Sequence, residues 1–180
     1  MAHVSEEELY VQWREGSVTA GNALAAKYCE PVLAFFRTKF AAAAEDLMQQ
    51  TFLSCLAARV DPRSVRSFRG FLFGIARKHS LRHAEGRGRL RGEILVSHLS
   101  LEMLRTTPTQ RISREQEQTL IQRAIQELSL DDQIALELYY WQKMSVRDIS
   151  AVLELSEGGM RAKLHRARSQ LKAELAKLQA

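Results

Sequence analysis

The chain has 180 residues, 46% apolar and 26% charged, which is the make-up of a soluble globular protein with room for one ordinary domain or two small ones. Three prolines and nine glycines are too few for a disordered chain or for an all-β fold built on tight turns. The net charge of +5 is unevenly spread: residues 59–92 carry 10 basic and 2 acidic groups, residues 133–180 carry 8 and 5, and the stretches before each are both net −3. Two basic blocks suit contact with a polyanion at two places, and two solvated faces account for the charge equally well.

Helical periodicity runs through almost the whole chain and strand alternation through almost none of it. Ser5 with Glu8 makes a capping box for a first helix carrying Leu9 and Trp13. Gly16 to Gly21 reads as a turn. A second helix follows with Leu24, Tyr28, Val32 and Phe35 or Phe36 on one stripe, and Pro31 predicts a kink in it. Ala41 to Ala44 is a weak break before a third helix over 45–59. There Met48, Phe52, Cys55 and Leu56 are the expected core, and Asp46, Gln49, Gln50, Leu53 and Ala57 form a second, mixed stripe that suits protein docking.

Asp61 to Ser67 has turn chemistry and reads as a loop. A fourth helix over 68–85 interleaves rings and bases. Phe68, Leu72, Ile75 and His79 share a spacing that predicts core, as do Phe71 and Ile75, while Arg66, Arg69, Arg77, Lys78 and Arg82 suit single-stranded nucleic acid. Two glycines, Gly86 and Gly88, end the helix. Residues 93–112 read as a linker, and short helices are expected near 113–128, 131–142, 145–153 and 157–178. The fold class is therefore all-α: two small helical domains, 1–92 and 113–180, on a flexible linker, the C-terminal one a helix-turn-helix.

That motif is specific in its details. Ser145 caps a short helix with Val146, Ile149 and Leu153 facing inward. Glu154-Leu155-Ser156 makes the turn, and Ser156 caps a second helix. Met160, Leu164, Ala167, Leu171, Leu175 and Leu178 form its apolar stripe. The opposite side holds Gly158, Ala162, Arg166 and Ser169, flanked by Arg161 and His165. Small residues let a helix sink into the major groove, and arginines offer the bidentate fork that guanine accepts.

Three stretches, in this order, resemble the short, two-domain extracytoplasmic-function (ECF) type of bacterial sigma factor. Ala44 to Phe52 resembles the polymerase-binding helix, Phe68 to Lys78 the promoter-melting helix, and Ser156 to Arg168 the recognition helix. The resemblance implies an alternative sigma factor that gives core RNA polymerase its promoter specificity. Asp46, Leu47, Gln49, Gln50 and Leu53 would hold the coiled coil of the β′ clamp. Arg63, Arg66, Ser67, Phe68, Arg69, Phe71, Arg77, Lys78 and Arg82 would handle the minus-ten element, with one flipped base in a pocket near the loop. Ser156, Gly158, Arg161, Lys163, His165 and Arg166 would read the minus-thirty-five duplex. The β flap and promoter DNA are further implied partners, and members of the family are often held by an anti-sigma factor. Departures from the family pattern fall at Gln50 (commonly Glu), Phe71 (Trp), Lys78 (Asn), Ser150 (Ala) and Glu154 (Gly). At Glu154 the family's turn needs a positive φ that strains a residue with a Cβ, or the turn differs locally.

A dimeric helix-turn-helix repressor or activator is the alternative, and it would bind a two-fold operator without polymerase. No enzyme is expected. His3, His79, His83, His98 and His165 lack metal spacing with carboxylates or thiols, and there is neither a phosphate-cradling glycine loop nor a nucleophile elbow. No cofactor or metal is expected either. Cys29 and Cys55 make no disulfide framework and no zinc site. No apolar run approaches the ~20 residues of a membrane span, and the acidic start shows no signal peptide. The chain therefore reads as cytoplasmic, without membrane insertion and with reduced thiols.

Overall fold

The computed structural model describes residues 4–87, 120, 121 and 123–179. Every regular element among them is helical. The linker expected over 93–112 and the first part of the helix expected near 113–128 lie outside the described residues. The chain divides into two compact units, Met1–Leu90 and Arg91–Ala180.

In the first unit α1 (Glu6–Arg14) starts on the expected capping box: Ser5 Oγ accepts the Glu8 N–H and the Glu8 carboxylate accepts the Ser5 N–H. It stops at Gly16, whose φ of 100° allows a left-handed cap. There the Gly16 N–H bonds Trp13 O and the Ser17 N–H bonds Gln12 O. α2 (Val18–Phe40) continues as one helix through Pro31. Gly21 lets α1 approach it closely, since a Cβ there would lie 2.4 Å from the Trp13 indole. A 3-10 turn at Ala41–Ala43 leads into α3 (Ala44–Ala57), and a second one at Pro62–Ser64 lies in the loop before α4 (Phe68–Arg87).

The core of this unit is an aromatic cluster. The Phe68 ring lies 5.1 Å from that of Tyr10 and 5.5 Å from that of Tyr28, and Phe35 sits against Phe36 and Phe73. Burying each such ring contributes roughly 2–3 kcal/mol. The Tyr10 hydroxyl donates to Cys55 O at 2.9 Å, which ties α1 to α3. Lys39 is buried, with its ammonium donating to Phe35 O and lying 3.9 Å above the Phe35 ring.

α3 faces inward differently from the expected stripe. Its buried residues are Ala44, Leu47, Thr51 and Cys55; Met48 and Phe52 are half-buried and Leu56 is exposed. Thr51 makes this possible, because its hydroxyl donates to Leu47 O at 2.7 Å and is satisfied within its own helix. On α4 the buried residues are Phe68, Leu72, Phe73, Ala76 and Ser80, while Phe71, Ile75 and His79, expected in the core, are half-buried.

In the second unit, residues 120, 121 and 123–126 are helical, followed by α5 (Leu130–Tyr140), α6 (Val146–Val152) and α7 (Glu157–Gln179). Ser145 caps α6 by accepting the Asp148 N–H at 3.1 Å. Ser156 accepts the Gly159 N–H, also at 3.1 Å, at the start of α7. Ile134, Leu138, Ile149, Met160, Leu164 and Leu171 fill the core; the α7 stripe ends at Leu175, and Leu178 is exposed. Ser150 is buried and donates to Arg147 O at 2.7 Å.

The α6–α7 turn repeats the cap that ends α1, with Glu154 where α1 has glycine. The Glu154 N–H reaches Ala151 O, the Leu155 N–H reaches Ser150 O, and Glu154 has φ 57°. A residue with a Cβ costs about 1 kcal/mol in this conformation. Glu154→Gly should therefore raise the melting midpoint of the C-terminal unit by roughly 4–8 °C, read by calorimetry on the whole chain.

Candidate functional site

Three surfaces collect the residues singled out in the sequence. The first is the outer face of α3. Asp46, Gln49, Gln50, Leu53 and Ala57 are all exposed, Leu53 by 64%, and Leu56 and Val60 extend the apolar part toward the loop. Leu47 does not belong to this face. It is only 4% exposed and packs in the core, because the buried stripe runs through Leu47 and Thr51.

The second surface is the loop after α3 together with α4. Arg66 and Arg63 are exposed, and the Arg63 guanidinium is held by Glu15 at 3.0 Å. Ser67 accepts the Gly70 N–H at 3.1 Å. The resemblance places Phe68 at the DNA, whereas its spacing predicts core; it is completely buried between Tyr10 and Tyr28. Phe71 is half-exposed with its ring 5.4 Å from that of Tyr10, so it is the ring of this helix that both packs and meets solvent. Arg69 and Arg77 are half-buried, and Lys78 and Arg82 are exposed.

The third surface is α7. Ser156, Gly158, Arg161, Ala162, His165, Arg166 and Ser169 are exposed along one side. Arg161 pairs with Glu157 one turn back at 3.0 Å, and both side chains are open to water. Lys163 departs from the expectation: its ammonium lies 2.8 Å from the Asp132 carboxylate, and both side chains are only 18% exposed. Asp132 stands in the first turn of α5, where the helix dipole favours a carboxylate. Lys163 thus fixes α7 against α5 rather than facing outward.

Residues unremarked in the sequence also shape these surfaces. Glu7 Oε1 accepts the Phe68 N–H at 3.0 Å, and Glu6 bonds Lys27 and Tyr28. Burial pushes the Glu6 carboxyl up, but the Lys27 and Tyr28 contacts together hold it below the usual value. Burial, with Glu6 beside it, pushes the Tyr28 phenol up. No local signal marks Glu7, since its partner lies 61 residues away. His79 faces α3 and contacts Ser54 Oγ at 2.9 Å. Cys55 is buried, and that burial pushes its thiol up to about 12, so it packs as a small apolar group. Among the described residues no group of three or more His, Cys, Asp or Glu is placed to hold a metal ion. No described helix is long and apolar enough to cross a membrane.

The comparisons with known proteins agree with this arrangement. Residues 31–90 match the family model of sigma-70 region 2, and residues 118–171 match that of sigma-70 region 4. The RNA polymerase sigma-H factor of Pseudomonas aeruginosa is 25% identical over 174 residues, covering 91% of this chain and 90% of its own. The structure of CnrH in complex with the cytosolic domain of CnrY superposes with a TM-score of 0.68 at 21% identity, covering 96% and 97% of the two chains. RpoE of Bartonella quintana, solved with the anti-sigma factor NepR, gives 0.61 at 24% identity, covering 88% and 98%.

With region 2 in one unit and region 4 in the other, the chain belongs to the bacterial RNA polymerase sigma factors. It is of the ECF type, an alternative sigma factor that binds core RNA polymerase and directs it to specific promoters.

His79 gives the N-terminal unit a pH dependence with a definite sign. Burial lowers its pKa below the ordinary value, Arg82 adds to that, and the Gln50 backbone opposes both. The unfolded state then binds the proton more readily, so this contribution is complete above about pH 6.5 and is lost as pH falls through the folded pKa. Urea midpoints at pH 7.5 and 5.5 should show wild type losing stability at the lower pH, and His79→Gln losing less.

Proposed function

We propose that the two units divide one initiation task between them. The outer face of α3, with Asp46, Gln49, Gln50 and Leu53, docks on the coiled coil of the polymerase β′ clamp. The loop over 61–67 and α4 hold the melted minus-ten strand, with Arg66, Ser67, Arg69, Arg77, Lys78 and Arg82 along its phosphates and Phe71 beside an unstacked base. The α7 face, with Ser156, Gly158, Arg161, His165 and Arg166, enters the major groove at the minus-thirty-five element, while the second unit also meets the β flap. The domains doing this are 1–92 and 113–180, with 93–112 as the tether between them.

The observation that carries this reading is the division of α3 and α7 into one fully packed stripe and one uncovered face of matching chemistry. On α3 the uncovered face is mixed polar and apolar, as protein docking requires. On α7 it is small and basic, as a groove requires. In this reading the protein works by binding, without chemistry of its own, in the cytoplasm where polymerase is found. The relatives CnrH and RpoE were solved with CnrY and with the anti-sigma factor NepR respectively, which supports an anti-sigma factor as a further partner of this chain.

Capture of core RNA polymerase tests the assignment of both faces. Asp46→Ala combined with Leu53→Ala should weaken capture at least about tenfold, the loss of roughly 1.4 kcal/mol expected when a docking face loses its central contacts. Arg166→Ala should capture polymerase as wild type does and reduce transcription from a promoter that the wild-type holoenzyme uses by about 5–100-fold, the worth of one bidentate base contact. Equal loss of both activities in Arg166→Ala would remove that residue from the DNA face.

A further inference from the structure

The loop over 61–67 is held at both ends by carboxylates of α1 and its C-cap. At its start Glu15 pairs with Arg63 at 3.0 Å. At its end Glu7 Oε1 accepts the Phe68 N–H at 3.0 Å. Between these anchors the loop is bonded to itself. Asp61 Oδ1 accepts the Arg63 N–H at 3.0 Å, and Asp61 O accepts the Ser64 hydroxyl at 2.7 Å. Behind the second anchor, the Phe68 ring lies between Tyr10 of α1 and Tyr28 of α2. Both carboxylates precede residues 31–90, the stretch that matches the region 2 model.

We propose that Glu7 and Glu15 are positioning residues for promoter recognition: α1 sets the shape of the loop before DNA arrives. The proposal rests on the reading that this loop and α4 hold the melted minus-ten strand. Glu7 is the stronger anchor. It is half-buried, its bond is charge-assisted, and it sits at the positive end of a 20-residue helix. The exposed Glu15–Arg63 pair adds little stability. Its effect is geometric, because a loop with both ends fixed has less freedom to lose when it closes on an unpaired base. In this role Arg63 acts as a tether of the loop.

The test uses holoenzyme assembled from core polymerase and wild-type or variant chain. The probe is a labelled single-stranded oligonucleotide selected from a random pool by the wild-type holoenzyme. Core capture and thermal melting are measured in parallel. Glu7→Ala with Glu15→Ala should capture core polymerase normally, bind the selected oligonucleotide about tenfold more weakly and prefer it less over a scrambled one. Glu7→Gln keeps an acceptor oxygen at the helix end and should restore most of the binding. If the double variant binds as wild type while Arg66→Ala binds weakly, positioning by α1 is overturned and the reading of the loop stands. If the double variant and Arg66→Ala both bind as wild type, the reading of the loop fails and takes the proposal with it. If the double variant loses polymerase and oligonucleotide together, or Glu7→Gln fails to restore binding, the carboxylates serve folding alone and the proposal is overturned.

Discussion

The contact of Phe68 with Tyr10 and Tyr28 is the constraint on which the N-terminal unit depends. Phe68 is the first residue of α4, so burying its ring fixes where that helix begins and how it is rotated. With 3.6 residues per turn, the same rotation decides which side chains meet water further along. It turns Leu72, Phe73 and Ala76 inward and leaves Lys78 and Arg82 outward. The Tyr10 hydroxyl carries the constraint to α3 through Cys55 O. The outer face of α3 and the basic face of α4 are therefore set by one buried cluster, although neither face contains it.

The C-terminal unit solves a similar problem with a turn and an ion pair. A helix-turn-helix must hold its second helix at a fixed angle on a core of few residues, and small units have little burial to spare. Glu154 accepts a left-handed conformation so that the last carbonyls of α6 are satisfied. Lys163, paired with Asp132, then ties α7 to the start of α5. Removing one partner of a half-desolvated pair leaves the other unsatisfied, so the pair specifies the seating of the helix more than it adds stability. The outward face of α7 is defined by what this packing leaves over.

The helices, their caps and the inner stripe of α7 were legible because they follow from local rules. Ser5 with Glu8, Ser145 and Ser156 each cap the helix that their spacing predicts. The exposed stripe of α3 was legible for the same reason. Its buried stripe was misread by one position, because a threonine that bonds its own helix is as buriable as a methionine yet counts as polar in a periodicity. That error placed Leu56 inside, while the resemblance placed Leu47 outside. The burial of Phe68 followed from its spacing, but Lys163 and Glu7 were hidden for another reason: each is decided by a partner 31 or 61 residues away, Asp132 or the Phe68 N–H, and no window along the chain contains both.

The same partners refine what the charge pattern means. Ten basic residues between 59 and 92 suggest one broad polyanion surface, but packing sorts the basic groups by availability. Lys163 is committed, because exchanging Asp132 for a phosphate would strand a carboxylate that is only 18% exposed. Arg161 sits with Glu157 in water, where an ion pair contributes about 0–1 kcal/mol and exchanges readily for a phosphate. Arg63 lies between these cases, since its pair is exposed yet anchors a loop. Binding that depends on phosphate neutralisation should thus respond to salt through only part of the basic residues counted in the sequence, and the rest serve to aim them.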